Sequence, residues 1–530
     1  MSNLIRLLVQ EGAITQAQAE ELLREAQDEA AIAARGGSVP AASTAHSIRV
    51  PYIPQSVRNQ IRDEVKDEVL KEARDQNWAQ PNTVPEWVRR FHMYGDFRLR
   101  YESDLFDSRN AFFPNYAALD AGSPFDLHNT AGTPPPILDT STDRQRVRIR
   151  ARLGVDVRIA DDFDFGLRLA TGNTTNPVTT NQTLGSTLNK YNFLLDQAFL
   201  EYHPADWVKL WAGRFPNPWF STDLVWDDDI AFDGVAAQFA GDVVNDVSLF
   251  FTAGAFPIEN TAFNFPDNST AKGKSRDKWL YGVQGGGDWR FARGFDFKLG
   301  AAYYDFSDLE GVLSGPCVAN TGTDPCDTDD SRPGFLQQGN TLFGIRDLIS
   351  NSTNPPLFQY YGLATPFREV NVTARLDVSR FGAAHVILDG DFVKNLAFHK
   401  NEIAAQSPVN SLGPAVTTGT GNQAVTTPGP FVGGDLGYQG RLTVGYPDIR
   451  ERWEWNFNAA YKYLESDAVP DAFTDSDFHL GGTNAKGYVV GAGLGVAHNV
   501  NLTARWLSAS EVSGAPYTVD VVLVDLNARF

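Results

Sequence analysis

No stretch of this chain approaches the roughly 20 consecutive apolar residues that a membrane-spanning helix requires, and its mean hydropathy is negative. A helical membrane protein is therefore disfavoured. A β-barrel is not, because a strand turns only every second side chain toward lipid. Positive charge is also short: 45 Lys and Arg stand against 65 Asp and Glu, a formal charge of −20. That balance argues against a nucleic-acid partner. Cysteine is nearly absent, Cys317 and Cys326 being the only two. They share one polar segment rich in Pro and Gly, so a local loop disulfide in an oxidising compartment is expected, with two free thiols as the alternative. The eight histidines scatter without zinc spacing and without an evident Ser nucleophile. No Gly-rich phosphate motif opens a helix. Asp327-Thr328-Asp329 begins like a calcium loop but lacks the glycine and the terminal glutamate. No cofactor, no metal and no enzymatic activity are expected. Residues 1–11 break their apolar run early and carry no small-residue cleavage site, so the expected form is a mature chain whose leader was removed or replaced.

What the chain does have is alternation. In Arg144–Ile159 the even positions are almost all charged, and the odd positions from Val147 onward are apolar. In a strand these sets point to opposite faces. A row of five arginines cannot sit in a dry core unpaired, and Val, Ile and Leu do not make an ordinary solvent face. A strand wet inside and oily outside suits a transmembrane barrel, the alternative being a soluble sandwich strand with a basic outer face. Aromatics are plentiful, with 35 Phe, 17 Tyr and 11 Trp, as the interfacial girdles of a barrel require.

Taken in order, residues 1–34 read as a helical segment with a break at Gly12, and 35–54 as a linker with Gly36-Gly37 and three prolines. Residues 55–90 hold a charged helix in which Val57, Ile61, Val65, Val69 and Ala73 recur every four residues. So narrow a stripe suits a coiled-coil seam or a docking face, and a solvent-bridging helix is the bland alternative. From 91 to 530 the alternation continues. Sixteen strands are expected, near 92–102, 144–159, 163–172, 192–203, 207–214, 230–240, 245–256, 278–291, 295–306, 369–379, 384–397, 433–446, 451–464, 485–497, 499–510 and 517–530. Short connections alternate strictly with longer ones, and the last strand places Val522, Val524, Leu526, Ala528 and Phe530 on one face. The expected fold is an all-β transmembrane barrel of 16 antiparallel strands preceded by an α-helical extension.

With its terminal Phe530, this pattern resembles Gram-negative outer-membrane porins. The stretch from Gly213 to Gly234 (GRFPNPWFSTDLVWDDDIAFDG) is similar to the signature of the "putative porin" family of proteobacteria, and Leu195–Tyr202 is a weaker echo. The likeness covers roughly 85–530 with a charged helix ahead. It implies an outer-membrane homotrimer in lipid and lipopolysaccharide, passing small hydrophilic solutes and ions by passive diffusion. The extension would lie in the periplasm, where residues 1–80 could reach the cell wall or another partner. In such porins the loop after the fifth strand narrows the bore. Here that loop would offer Asp223, Asp227, Asp228 and Asp229 as the constriction acids. Opposite it, the inferred inward faces supply a basic wall: Arg98, Arg100, Arg146, Arg148, Arg150, Arg152 and Arg168, with Arg375, Arg441 and Arg505 farther along. Arginine keeps its charge at any pH and presents a fixed fork of donors. Those arginines could instead pair with Asp96, Glu102, Asp156, Asp389 and Asp391 and simply brace the wall. A substrate-selective channel capped by 307–368 is a further alternative.

Overall fold

The computed structural model describes Arg24 and residues 88–128, 134–261, 275–349, 355–418 and 425–530. The helices expected over 1–34 and 55–90 and the linker 35–54 lie outside them, apart from Arg24 and a single turn at Val88–Arg90. The chain divides into two units, Met1–Pro85 and Glu86–Phe530. The second is a closed barrel.

Its sixteen long strands are β1 Phe91–Phe106, β2 Arg144–Ala160, β3 Phe163–Ala170, β4 Leu194–Ala205, β5 Val208–Pro216, β6 Ala231–Val244, β7 Val247–Glu259, β8 Lys278–Ala292, β9 Phe295–Ser307, β10 Phe367–Phe381, β11 Ala384–Asn395, β12 Leu436–Gly445, β13 Trp455–Leu464, β14 Ala485–Ala497, β15 Val500–Glu511 and β16 Thr518–Arg529. Each pairs antiparallel with its neighbours in sequence, and β1 closes the ring against β16. At that seam Phe530 and Gly95 exchange backbone hydrogen bonds of 3.0 Å in both directions. A side chain at Gly95 would collide with the Phe530 ring, 2.4 Å from the position of its Cβ, so the seam closes only over glycine.

One rim carries two-residue turns such as 161–162, 245–246, 293–294 and 498–499. Asp246, Gly294 and Asn499 take positive φ there, at 67°, 76° and 55°, the residue types that tight hairpins select. The connection 446–454 is the exception, longer than the four residues expected. Glu454 explains it: its Oε2 accepts from the backbone N–H of Arg450 and of Glu451 at 2.7 and 2.9 Å. Those donors are thereby taken from the ladder, and strand β13 starts late.

The outward face is largely apolar. Phe97, Leu99 and Tyr101 on β1, Leu153 on β2 and Leu526 on β16 are all exposed. Aromatics ring both edges of this band. Phe163 stacks on Tyr202 at 4.3 Å by the short-turn rim, and Tyr438 on Tyr463 at 5.0 Å toward the other. The inward face is more varied than expected. Its outer half is apolar in two places. Phe215, Phe256, Leu280, Tyr304 and Phe367 pack around Trp219, Leu224 and Trp226 of the loop after β5. Val519, Val521 and Leu523 lie beneath Phe478 of the loop after β13.

The orientation is testable. Leu153→Arg puts a charge on the lipid face and should destabilise the barrel by about 2–4 kcal/mol if it lies near the bilayer midplane, measured by reversible unfolding in lipid vesicles. Unchanged stability would contradict the assignment of inside and outside.

Candidate functional site

The period-two register of β1 and β2 sets the basic wall. Arg98, Arg100, Arg148, Arg150 and Arg152 fall on one face because Arg98 is paired in register with Arg150, and Arg100 with Arg148. Acids interleave with them. Arg144 reaches Asp104 at 2.9 Å and Arg148 reaches Glu102 at 2.9 Å, while Arg146 also binds Glu102. Arg150 and Arg152 share Asp96, at 3.0 and 2.7 Å. On β3, Arg168 pairs with Asp196 at 2.5 Å, and on β10 Arg375 pairs with Asp389 at 2.6 Å. Arg98 donates to Asn181 Oδ1 at 2.6 Å. These ion pairs are of the kind the bracing alternative expects, with Asp96, Glu102 and Asp389 as acceptors. Arg100 departs from the expectation: it is fully buried, clamped by Asp525 at 2.7 Å and Asp477 at 2.8 Å, and does not meet water.

The segment 217–230 after β5 folds into the cylinder and crosses it. Gln284 on β8 holds the Phe220 backbone by two hydrogen bonds of 2.8 Å. Thr222 Oγ1 donates to Asp391 on β11 at 2.6 Å. Farther along, Asp223 binds Arg441 on β12 at 2.7 Å and stands 3.4 Å from Lys462 on β13. At its end, Asp229 reaches back to Arg150 and Arg152, at 3.1 and 3.2 Å. Trp219, Leu224, Val225 and Trp226 are buried in the apolar packing behind it.

Three of the four expected constriction acids are thus engaged. Burial opposes ionisation of Asp223 and Asp229, but Arg441 and Lys462 hold the first well below the usual carboxylate range, and Arg150, Arg98 and Arg152 lower the second. Asp227 differs. Burial, with Asp475 and Asp229 beside it, pushes its carboxyl well up, and its two oxygens accept from the backbone N–H groups of Asp229 and Ser476. Only Asp228 is exposed, and among the described residues it forms no hydrogen bond or ion pair.

A second inward segment was not anticipated. The loop 465–484 enters from the same rim: Asp477 bridges Arg100 and Arg505, the latter at 2.7 Å, and Asp475 takes Lys462 at 3.0 Å. Its Phe473 lies parallel to Phe306 and close to Trp226. The one signal in the sequence was Asp475-Ser-Asp477 flanked by Phe473 and Phe478, acids among buriable aromatics in a supposed surface loop. Between the two loops and the turn 446–454 lies a polar cavity of about 420 Å³, lined by Arg98, Arg150, Asp228, Asp448, Arg505 and Arg529 with five asparagines. The remaining expected pair, Cys317 and Cys326, is joined in a disulfide in the loop after β9.

The loop 465–484 also carries a pH-sensitive group. Burial pushes the Asp471 carboxyl up to about 7, above its unfolded value, so the folded loop holds a proton that the unfolded chain releases. Its contribution to stability is complete below about pH 4 and is lost as pH rises to about 7. Asp471→Asn should therefore be near neutral at pH 4 and stabilising at pH 8, read as resistance of this loop to proteolysis. Equal effects at both pH values would remove Asp471 as the source.

The family model described as "Putative porin" matches residues 1–530. Similar solved structures include OprB of Pseudomonas putida, at 10% identity and TM-score 0.43 over 84% of this chain and 95% of that one. Another is OmpF of Salmonella typhi, at 11% and 0.38 over 83% and 97%. The outer-membrane channel DcaP of Acinetobacter baumannii stands at 10% and 0.38 over 83% and 97%. No curated relative matches in sequence.

Proposed function

The chain belongs to the "putative porin" family, and from that premise we propose that it passes small hydrophilic solutes and ions by passive diffusion between an arginine-bearing wall and the inward loop 217–230. It is an outer-membrane barrel of the porin type, a channel rather than an enzyme. The observation that carries the finer reading is the polar cavity. It is bordered by guanidinium groups of Arg98, Arg150, Arg505 and Arg529 and by the free carboxylate of Asp228. Opposed charges across a wet gap set up a transverse field. Such a field orients dipolar solutes and penalises apolar ones, which must break ordered water to pass. Arg146, Arg148, Arg152, Arg168, Arg375 and Arg441 hold the wall and the loop in place through their ion pairs, and so fix the width of the gap.

A substrate-selective channel is the second reading, and one observation favours it. Two loops rather than one fold inward, and the loop 465–484 is fastened to the wall by Arg100, Lys462 and Arg505. That narrows the cylinder more than a single eyelet does.

The same reading carries a homotrimer embedded in lipid and lipopolysaccharide. On this reading residues 1–34, 35–54 and 55–90 would be a helical segment, a linker and a charged helix in the periplasm. The 57–73 stripe would zip three copies together or dock on the cell wall or a periplasmic partner.

Planar-bilayer recording tests this reading. Replacing Asp228 with Asn should lower cation preference, and Arg98→Gln with Arg150→Gln should raise it, each seen as a shift in reversal potential across a salt gradient. Native current should close in three equal steps. Unchanged reversal potentials in both variants would take these groups out of the conducting path.

A further inference from the structure

Outside the bore, the loops of the outer mouth enclose a pocket that conduction does not require. Its volume is about 110 Å³, on the scale of the engineered cavity of about 150 Å³ that takes up benzene. Five loops build it. Phe113 and Tyr116 come from the segment after β1, Leu336 and Leu342 from the segment after β9, Asn410 from that after β11, His479 from that after β13, and Tyr517 from the approach to β16.

The polar groups of its wall are largely spent on one another. Asn340 Nδ2 donates to the Ser466 and Val469 carbonyls, and its Oδ1 accepts from the Asp471 N–H. Glu511 Oε2 accepts from the Tyr517 N–H at 2.7 Å. One acceptor is left over. His479 is 3% exposed, and its Nε2 faces the Tyr517 carbonyl oxygen at 3.0 Å. A carbonyl only accepts, so the ring proton sits on Nε2 and Nδ1 keeps a lone pair. That Nδ1 is buried and has no hydrogen-bond partner. Burial also pushes His479 down to about 4, so the ring stays neutral at neutral pH and Nδ1 remains an acceptor. The Tyr517 ring lies 4.5 Å from the imidazole and 5.9 Å from Phe113, which gives the pocket an aromatic wall. No Lys or Arg lines it, so a carboxylate or phosphate would find no counter-charge.

We propose that this pocket binds a small uncharged ring compound bearing one hydroxyl, of the phenol class, with the hydroxyl donating to His479 Nδ1 and the ring seated among Phe113, Tyr116 and Tyr517. An unmet buried acceptor is costly, and a ligand donor removes that cost. A ring of equal size without a donor does not, and binds about tenfold more weakly.

Fluorine NMR of 4-fluorophenol and 4-fluorotoluene with the whole folded protein in detergent tests this at pH 7. Ala515, an exposed residue of the pocket wall, supplies the reference. Ala515→Trp fills the pocket from a loop, and subtracting its signal in the same detergent removes partition into micelles. Saturable broadening of 4-fluorophenol is expected for the native protein, about tenfold weaker for 4-fluorotoluene, and absent for Ala515→Trp. His479→Phe should level the two probes. Equal affinity of both probes for the native protein, or no difference between native and Ala515→Trp, would overturn the assignment.

Discussion

A charge inside a lipid-clad cylinder must meet water or an opposite charge, and this one condition orders the whole interior. Desolvating an unpaired guanidinium costs more than any single packing contact returns. The strands meet the condition by interleaving acid with base: Glu102 serves Arg146 and Arg148, and Asp96 serves Arg150 and Arg152. The loops meet it by carrying acids inward. Asp229 and Asp223 fasten the loop 217–230 at two distant points of the wall, while Asp477 fastens 465–484 at Arg100 and Arg505. The same ion pairs therefore hold the loops and the walls at a fixed distance.

The other half of the interior obeys the opposite rule. Where loops fold over the outer ends of the strands, water is excluded and the inward residues turn apolar. Trp226 meets Tyr304 and Phe232 edge-on at 5.3 and 5.0 Å. These rings bury large areas and back the loop 217–230 with a rigid support. The barrel thus sets a dry, aromatic buttress on the side of β5–β10, and a second apolar patch beneath Phe478 on β14–β16, against the charged residues of β1, β2, β12 and β13. The loop that divides them is apolar on one flank and acidic on the other.

Alternation of apolar and polar residues was enough to read the strand count, the pairing order and the rim carrying the short turns, because period two is a local property of each strand. It was enough for Arg146–Arg152, whose neighbours in sequence fix their face. It could not assign Val519, Val521 and Leu523, since an apolar side chain looks the same whether it meets lipid or an ingoing loop. Nor could it foresee that Arg100 would be sealed off. The residues that seal it, Asp477 and Asp525, lie 377 and 425 positions away, and no local pattern encodes that meeting. Asp223, Asp227 and Asp229 were found as acids but read as open, because exposure depends on which wall a loop touches.

The account stands on which side chains touch water inside the cylinder. The native cysteines are joined to each other and leave no free thiol, so a single introduced cysteine reports cleanly. The most direct measurement is modification of Asp228→Cys and Leu153→Cys by a charged, membrane-impermeant methanethiosulfonate reagent during single-channel recording. Position 228 should react and reduce the current, whereas position 153 should stay unmodified in its lipid surroundings. Rapid reaction at 153, or inertness at 228, would contradict the wet bore and the oily outer face together.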